Sequence, residues 1–259
     1  MFVDSHCHLN KLDLSLHDNL LDNPVNAAKH AGVNHILCIG IDLETMDEVI
    51  SVAERYPQVY ATVGTHPLYQ ESCEPTLDAL LRYAEHPKVV GIGETGLDYY
   101  YCPKDNDWQM RRFEVHIDAA RSSGLPLIIH TRDARQETIA CLRERGEGKV
   151  VGVLHCFTES LEMAQQAVEL GFYISISGIV TFRSADELRQ VVEAIPLQRL
   201  LIETDAPWLA PVPFRGKENR PEYVVEVAKK IAQIKQVSVE EVAKITTANF
   251  FELFSKARR

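Results

Sequence analysis

Eight short runs of apolar and β-branched residues constrain the fold of this chain more than any other feature. They lie at 2–5, 35–40, 59–64, 89–93, 126–129, 150–154, 173–177 and 200–204. The stretches between them carry helix signals; the first, for example, begins at Asn23-Pro24 and ends at Gly32. Because strands that alternate with helices pair in parallel, eight such units predict an α/β fold, a (β/α)₈ barrel of the TIM type.

An open doubly wound sheet is the alternative arrangement of the same units. It is less favoured because no run is followed by the glycine pattern G-x-G-x-x-G or by a P-loop lysine. The chain has 259 residues without linkers, repeats or low-complexity tracts, and one barrel domain takes about 200–250 residues. We therefore predict a single domain over 1–259, with a long helix at 108–123 and a closing helical pair at 221–236 and 238–256.

Charge and cysteine content exclude several classes of protein. A formal net charge of -10 argues against a broad basic surface for long duplex nucleic acid and against attraction to anionic membranes. The six cysteines form no C-x-x-C pair, so neither a zinc finger nor a disulfide framework is expected. With no signal-peptide pattern and no membrane-spanning apolar run, we expect a reduced, cytoplasmic protein without membrane contact. No feature of the sequence points to a protein partner.

Ionisable side chains appear where most of the predicted strands end. His6 and His8, two residues apart, project to the same side of the first strand. The carboxyl ends of barrel strands open onto one face, where the active sites of such barrels lie. The candidate ligands brought together there are His6, His8, Glu94, His130, His155 and Asp205.

These six side chains predict a metal centre. Alone, each has an ordinary explanation: His130 as a core histidine, Asp205 as a turn or helix-cap residue, Glu94 as a loop carboxylate. Together they exceed the needs of one tetrahedral ion. They suit two divalent ions about 3.5–4 Å apart, with Glu94 as the bridge. Four imidazoles favour Zn²⁺ or Mn²⁺ over Mg²⁺, which prefers oxygen ligands.

Other residues are expected around the same mouth as substrate contacts. For His66, which follows the third strand, substrate contact or proton transfer suits the position better than metal ligation. For the arginine side chains in the mouth loops, we expect either phosphate binding or ordinary surface ion pairs. The candidates for this role are Arg132, Arg183 and Arg215. The aromatic residues at 99–101 and Trp208 stack bases or pack the rim.

Several titratable residues are left outside the ligand set. Glu203 shares a strand face with Asp205 and is either a support for a ligand or half of a buried ion pair. The remaining histidines fall in helices or at the strand-entry side, and we expect them at the surface. They are His17, His30, His35, His86 and His116.

Motifs spread from residue 4 to residue 250 resemble those of the TatD family of metal-dependent hydrolases, within the amidohydrolase-like superfamily. They include Asp4-Ser5-His6-Cys7-His8, Gly64-Thr65-His66-Pro67, Gly91-Ile92-Gly93-Glu94-Thr95-Gly96-Leu97-Asp98, His130-Thr131-Arg132, Leu154-His155-Cys156-Phe157 and Glu203-Thr204-Asp205. The resemblance implies a TIM-type barrel and the same six metal ligands. Many relatives in the superfamily bridge their metals with a carboxylated lysine, and Glu94 takes that place here.

The resemblance also implies an activity. Characterised TatD-like proteins are deoxyribonucleases, often acting on single-stranded ends, and nuclease assays in the family use Mg²⁺. We therefore expect a phosphodiesterase that cleaves DNA ends with two divalent ions (Mg²⁺, Mn²⁺ or Zn²⁺) and a bridging hydroxide, with Glu94 and Asp205 as the catalytic residues. The alternative is hydrolysis of an amide, lactone or ester, including an aminoacyl-tRNA ester, at the same site. A barrel that binds metal without catalysis is the third possibility.

Overall fold

A computed structural model describes residues 1–102 and 107–258 as a barrel of eight parallel strands. The strands are β1 (Phe2–Cys7), β2 (Val33–Cys38), β3 (Val59–Val63), β4 (Val89–Asp98), β5 (Leu127–Arg132), β6 (Gly152–Leu154), β7 (Tyr173–Ile176) and β8 (Leu200–Ile202). Each strand pairs with the next in sequence, and an isolated parallel bridge between Cys7 and Ala206 brings the end of β8 back to β1. The predicted (β/α)₈ fold is confirmed.

The helices surround the barrel in the order that the sequence predicts. They are α1 (Asp22–His30), α2 (Met46–Arg55), α3 (Leu77–Ala84), α4 (Asp107–Ser123), α5 (Arg135–Gly146), α6 (Leu161–Glu169), α7 (Asp186–Ala194), α8 (Val224–Lys235) and α9 (Val239–Leu253). The long helix predicted at 108–123 and the closing pair are present as α4, α8 and α9. Within the described ranges, no helix combines the length and the apolar character needed to cross a membrane.

Helix α9 closes the end of the barrel where the strands begin. Its Phe250 and Phe254 are fully buried and join a core cluster with inward-facing strand residues such as Val90. The side-chain amide of Asn249 donates to the carbonyl of Leu200, at the start of β8, at 2.8 Å. This packing leaves the opposite end of the barrel, where the strands finish, open for a functional site.

Two histidines expected at the surface are buried instead. His17 is 5% exposed and His116 is 0% exposed. His17 contacts Oε1 of Glu218 at 2.9 Å, and His116 lies on the inner face of α4, where Nε2 accepts the backbone N–H of Thr65 at 3.0 Å. The expectation was wrong for both because a polar side chain that has a partner can be buried on the inner side of a helix or loop.

Candidate metal centre

A cavity of about 780 Å³ opens at the carboxyl ends of the strands. Six different strands or the residues that follow them contribute titratable side chains to its wall: His8, His66, Glu94, His130, His155 and Asp205. His6 lies fully buried directly beneath, with its ring stacked on that of His155 at a centroid distance of 3.8 Å. The fold thus brings all six predicted ligands and His66 to one place.

Glu94 lies at the centre, and its Oε1 atom faces three histidines. Oε1 is 2.7 Å from Nε2 of His155 and 3.2 Å from Nε2 of His66. It is also 3.5 Å from Nδ1 of His130. One carboxylate oxygen therefore meets nitrogens from β5, from the end of β6 and from the loop after β3.

The other oxygen of Glu94, Oε2, faces a separate group. It lies 3.4 Å from Nε2 of His6 and 3.9 Å from Nε2 of His8. Those two nitrogens are 3.1 Å apart, and Oδ1 of Asp205 lies 3.3 Å from that of His8 and 3.6 Å from that of His6. Glu94 therefore stands between two sets of N/O donor atoms. His6, His8 and Asp205 form one group compact enough to hold a metal ion, and Glu94 forms another with His66 and His130.

Glycine at position 96 allows β4 and β5 to approach closely at this point. Gly96 has a φ of +135°, a conformation that L side chains rarely adopt, and a Cβ atom there would collide with the carbonyl oxygen of His130. The close approach holds His130 beside Glu94, so the backbone of the two strands fixes one part of the centre.

A second layer of carboxylates orients the histidines from behind. Oδ2 of Asp98 contacts Nε2 of His130 at 3.0 Å, which leaves Nδ1 to face Glu94. Oε1 of Glu203 lies 3.4 Å from Nδ1 of His155 and accepts the backbone N–H of Cys156 at 2.7 Å. A metal-bound imidazole commonly has such a partner on its other nitrogen, so both carboxylates are placed as supports of candidate ligands.

Asp4 anchors the loop that carries Asp205. Its Oδ2 accepts the hydroxyl of Thr204 at 2.6 Å and its Oδ1 accepts the backbone N–H of Thr204 at 2.9 Å. Asp205 itself has a φ of +58°, and its N–H donates to the carbonyl of His6 at 2.9 Å. An unusual backbone conformation held by several bonds is typical of functional positions.

The buried carboxylates and imidazoles of the centre shift one another's pKa values. Burial raises the pKa of Glu94, but the surrounding histidines outweigh burial and bring the pKa well below its ordinary value. Burial lowers the pKa of His155, yet the charges of Glu94 and Glu203 more than offset this and the pKa lies well above 6.5. Both ring nitrogens of His155 are buried without a hydrogen-bond partner of good geometry. Buried imidazoles and carboxylates of this kind fit a divalent metal ion.

Comparison with known proteins agrees with this chemistry. The family model described as TatD related DNase matches residues 3–255. This chain belongs to the TatD family. Its sequence is 47% identical over 253 residues to the uncharacterized metal-dependent hydrolase YcfH of Escherichia coli strain K12, with 97% of this chain and 95% of YcfH covered. The uncharacterized metal-dependent hydrolase YabD of Bacillus subtilis strain 168 is 41% identical over 255 residues, with 98% of this chain and 99% of YabD covered.

A solved TatD homologue shows the same fold. The crystal structure of YJJV from Escherichia coli K12 superposes with a TM-score of 0.89 at 29% sequence identity, covering 98% of each chain. Membership of the TatD family and the clusters of histidine, glutamate and aspartate together make this chain a metal-dependent hydrolase.

The predicted substrate residues of this TatD-family chain are placed differently from one another. Arg132 lines the cavity, with its guanidinium 3.9 Å from the ring centroid of Tyr100. Arg183 and Arg215 are exposed and are not among the residues that line the cavity. Arg215 stacks on Phe182 at 3.7 Å. A substrate role for these arginines stays a prediction, with Arg132 the best placed.

Sequence reasoning missed the side chains of α4 that support the mouth. Gln109 accepts the backbone N–H of Asp98 at 3.0 Å and donates to the carbonyl of Pro67 at 3.0 Å. Arg112 donates to the carbonyl of His66 at 2.8 Å. With His116, these residues are spaced three and four apart, the spacing of one helix face, and that spacing was the available signal.

Proposed function

We propose that this TatD-family hydrolase is a divalent-metal-dependent phosphodiesterase that cleaves DNA at single-stranded ends. The observation that supports it most is the position of Glu94, whose two oxygens face two separate sets of donors. Two ions sharing one carboxylate form the arrangement that many phosphoryl-transfer enzymes use. A pair of divalent ions also offsets the local carboxylates, so an acidic chain can bind a phosphate.

We assign the six candidate ligands to two ions. His6, His8 and Asp205 would hold one ion, His130 and His155 the other, and Glu94 both. The chemistry such ions supply is neutralisation of phosphate charge and a lower pKa for a water molecule. The imidazole-rich set favours Zn²⁺ or Mn²⁺, and Mg²⁺ remains a candidate because phosphate oxygens complete its preferred shell.

Asp205 is suited to the role of general base. Burial alone would raise the pKa of Asp205. Its contacts with His8 and His6 together have the larger effect, so the pKa lies below its ordinary value. The side chain is 14% exposed at the cavity wall, so its carboxylate is ionised at neutral pH and can be reached by water. In the proposed reaction it accepts the proton of the attacking water.

The rim of the cavity supports a nucleic acid substrate. Trp208 is 49% exposed, and its ring lies edge-on to that of His8 at a centroid distance of 5.0 Å. Tyr101 is 61% exposed and also lines the cavity. Exposed rings beside a phosphate site stack unpaired bases regardless of sequence. The net charge of -10 disfavours long tracts of duplex contact, so a strand end is the substrate we propose.

The experiment is an end-labelled single-stranded DNA assay with added Mg²⁺, Mn²⁺ or Zn²⁺. We expect release of mononucleotides by the wild type and a loss of at least about 10³-fold in Asp205→Ala. Asp186→Ala, which changes an exposed aspartate of α7, is the matched control and should keep full activity. Binding should weaken only modestly with salt, because few phosphates are contacted. No mononucleotide release with any of the three metals would overturn the proposal.

A second candidate is hydrolysis of an amide, lactone or ester, including an aminoacyl-tRNA ester. The observation that favours it is the aliphatic part of the cavity wall, formed by Ile41, Leu68, Ile179 and Leu209. Such a wall suits an apolar acyl group. Turnover of a panel of carbonyl substrates by metal-loaded protein that leaves DNA intact would select this activity.

A further inference from the structure

The histidines of the centre differ in which ring nitrogen carries the proton. A neutral imidazole has one N–H donor and one lone pair, and a metal ion takes the lone pair. Nε2 of His130 contacts Oδ2 of Asp98 at 3.0 Å, so its proton is on Nε2 and the lone pair of Nδ1 faces Glu94. At His155 the two nitrogens are exchanged, since Nδ1 lies 3.4 Å from Oε1 of Glu203 and Nε2 faces Glu94. When a ring keeps its proton on the nitrogen that faces its supporting carboxylate, the other nitrogen is free to bind a metal ion.

His66 presents the opposite nitrogen. The backbone N–H of Leu68 donates to Nδ1 of His66 at 3.1 Å, so the lone pair of this ring is on Nδ1 and is already used. The ring proton must then be on Nε2, the atom that lies 3.2 Å from Oε1 of Glu94. A nitrogen that carries a proton cannot bind a cation, although His66, Glu94 and His130 are close enough to form a metal-binding group.

The backbone around His66 holds the ring in this state. The backbone N–H of His66 donates to the carbonyl of Ile41 at 2.8 Å. The backbone carbonyl of His66 accepts a hydrogen bond from Nη1 of Arg112 at 2.8 Å. The ring packs edge-on against His130 at a centroid distance of 4.6 Å. Rotating the ring to free Nδ1 would break the bond from Leu68 inside a crowded wall, so the donor orientation is part of the fold.

We propose that His66 is a hydrogen-bond donor to the substrate, and not a metal ligand, in this enzyme. Its Nε2–H would bind the oxygen that gains negative charge on the reacting phosphorus, beside Glu94. The proposal rests on the proposed hydrolytic function of the site but not on the identity of the substrate, because a tetrahedral carbonyl adduct offers the same kind of oxygen. No proton leaves His66 in this role.

The protonation of His66 can be read directly by NMR. In Zn²⁺-loaded protein labelled with ¹⁵N-histidine, long-range ¹H–¹⁵N spectra distinguish the two neutral forms, and the signals missing from His66→Gln identify residue 66. We expect the Nε2–H form with an unprotonated Nδ1, unchanged between metal-free and loaded protein. An Nδ1–H form, or a shift of Nε2 typical of metal binding, would overturn the proposal.

Variants separate donation from ligation and from a purely structural role. His66→Ala removes the donor, whereas His66→Gln places an amide N–H near the position of Nε2. We expect both to bind as much Zn²⁺ as the wild type, and we expect inorganic phosphate to bind His66→Ala about tenfold more weakly or worse. The kcat of His66→Ala should fall about 10²- to 10³-fold with a smaller change in KM, and His66→Gln should recover part of both losses.

The contradicting results are equally specific. Reduced Zn²⁺ content in His66→Ala would make His66 a ligand, and phosphate affinity equal to wild type would remove its role as a donor. His30→Ala, at an exposed position on α1, is the matched control and should change none of these values. Because metal content, the NMR signature and phosphate binding need no DNA, failure of DNA cleavage alone would overturn the proposed function and leave this proposal standing.

Discussion

Replacing Asp98 by asparagine tests how the second layer controls the centre. Asp98 is fully buried at the end of β4, and its Oδ1 accepts the backbone N–H groups of Tyr100 at 3.1 Å and Tyr101 at 2.8 Å. Asparagine can keep both bonds through its amide oxygen, so the loop should stay in place. Its amide nitrogen would then face Nε2 of His130, where a carboxylate oxygen faces it now.

The size of the effect follows from the proton on His130. Two N–H groups cannot hydrogen-bond to each other, so the ring would move its proton to Nδ1, the nitrogen that faces Glu94. Nδ1 then has no lone pair for the metal ion. The lone pair is kept only if the proton stays on Nε2 and the hydrogen bond to residue 98 is given up. Changing such a supporting partner typically costs 10–100-fold in metal affinity, or about 1.4–2.7 kcal/mol.

The assay is competition for Zn²⁺ between the protein and a chromogenic chelator, together with urea unfolding of the metal-free protein. We expect Asp98→Asn to lose about 10–100-fold in its affinity for the Zn²⁺ ion that His130 would hold, with little change in the free energy of unfolding. The control is Asp118→Asn, which removes the charge that pairs Asp118, on the outer side of α4, with Arg145. It should lower the free energy of unfolding by at most about 1 kcal/mol and leave metal affinity unchanged. Wild-type Zn²⁺ affinity in Asp98→Asn would refute the reasoning.

Three further changes test other parts of the structure. Burial lowers the pKa of His116 from 6.5 to about 4. Protonation of this side chain should therefore cost the metal-free protein about 3 kcal/mol of unfolding free energy as pH falls from 6.5 toward 4. In urea unfolding at a series of pH values, His116→Gln should lack this contribution. Gly96→Ala should lower the free energy of unfolding by about 3 kcal/mol or more. Gly124 has a φ of +71° but open space around it, so Gly124→Ala should lower it by only about 1 kcal/mol. Equal losses in the two variants would contradict the close approach of β4 and β5. Trp208→Ala should raise the KM for single-stranded DNA about tenfold or more, with Trp208→Phe near wild type; an unchanged KM would rule out stacking at this position.

The fold and the ligand cluster could be predicted because both depend on local, repeated signals. Each strand is marked by an apolar run, and a parallel barrel brings the ends of all its strands to one face. Glu94 and Asp205 are separated by 111 positions, counted from their residue numbers, yet they meet because each follows such a run. The structure adds the orientation of the atoms, which determines which oxygen of Glu94 faces which histidine.

The supporting residues could not be predicted in the same way. Asp98 is four residues after Glu94 in the same strand, a spacing that places two side chains on one face, but its contact with His130 depends on how two strands approach at Gly96. His116 was expected at the surface because its partner, the backbone N–H of Thr65, lies in a distant loop. Such contacts depend on tertiary packing between elements, and no periodic pattern in one segment reports them.

The most direct test of the account is the number of divalent ions bound per chain, measured by elemental analysis after equilibrium dialysis against Zn²⁺. Because Glu94 is shared between two ions in the proposed centre, we expect about two ions per wild-type chain and a large loss of bound metal in Glu94→Gln. Glu169→Gln, at the end of α6, should bind as the wild type does. One ion or none in the wild type, or two ions retained in Glu94→Gln, would contradict the account.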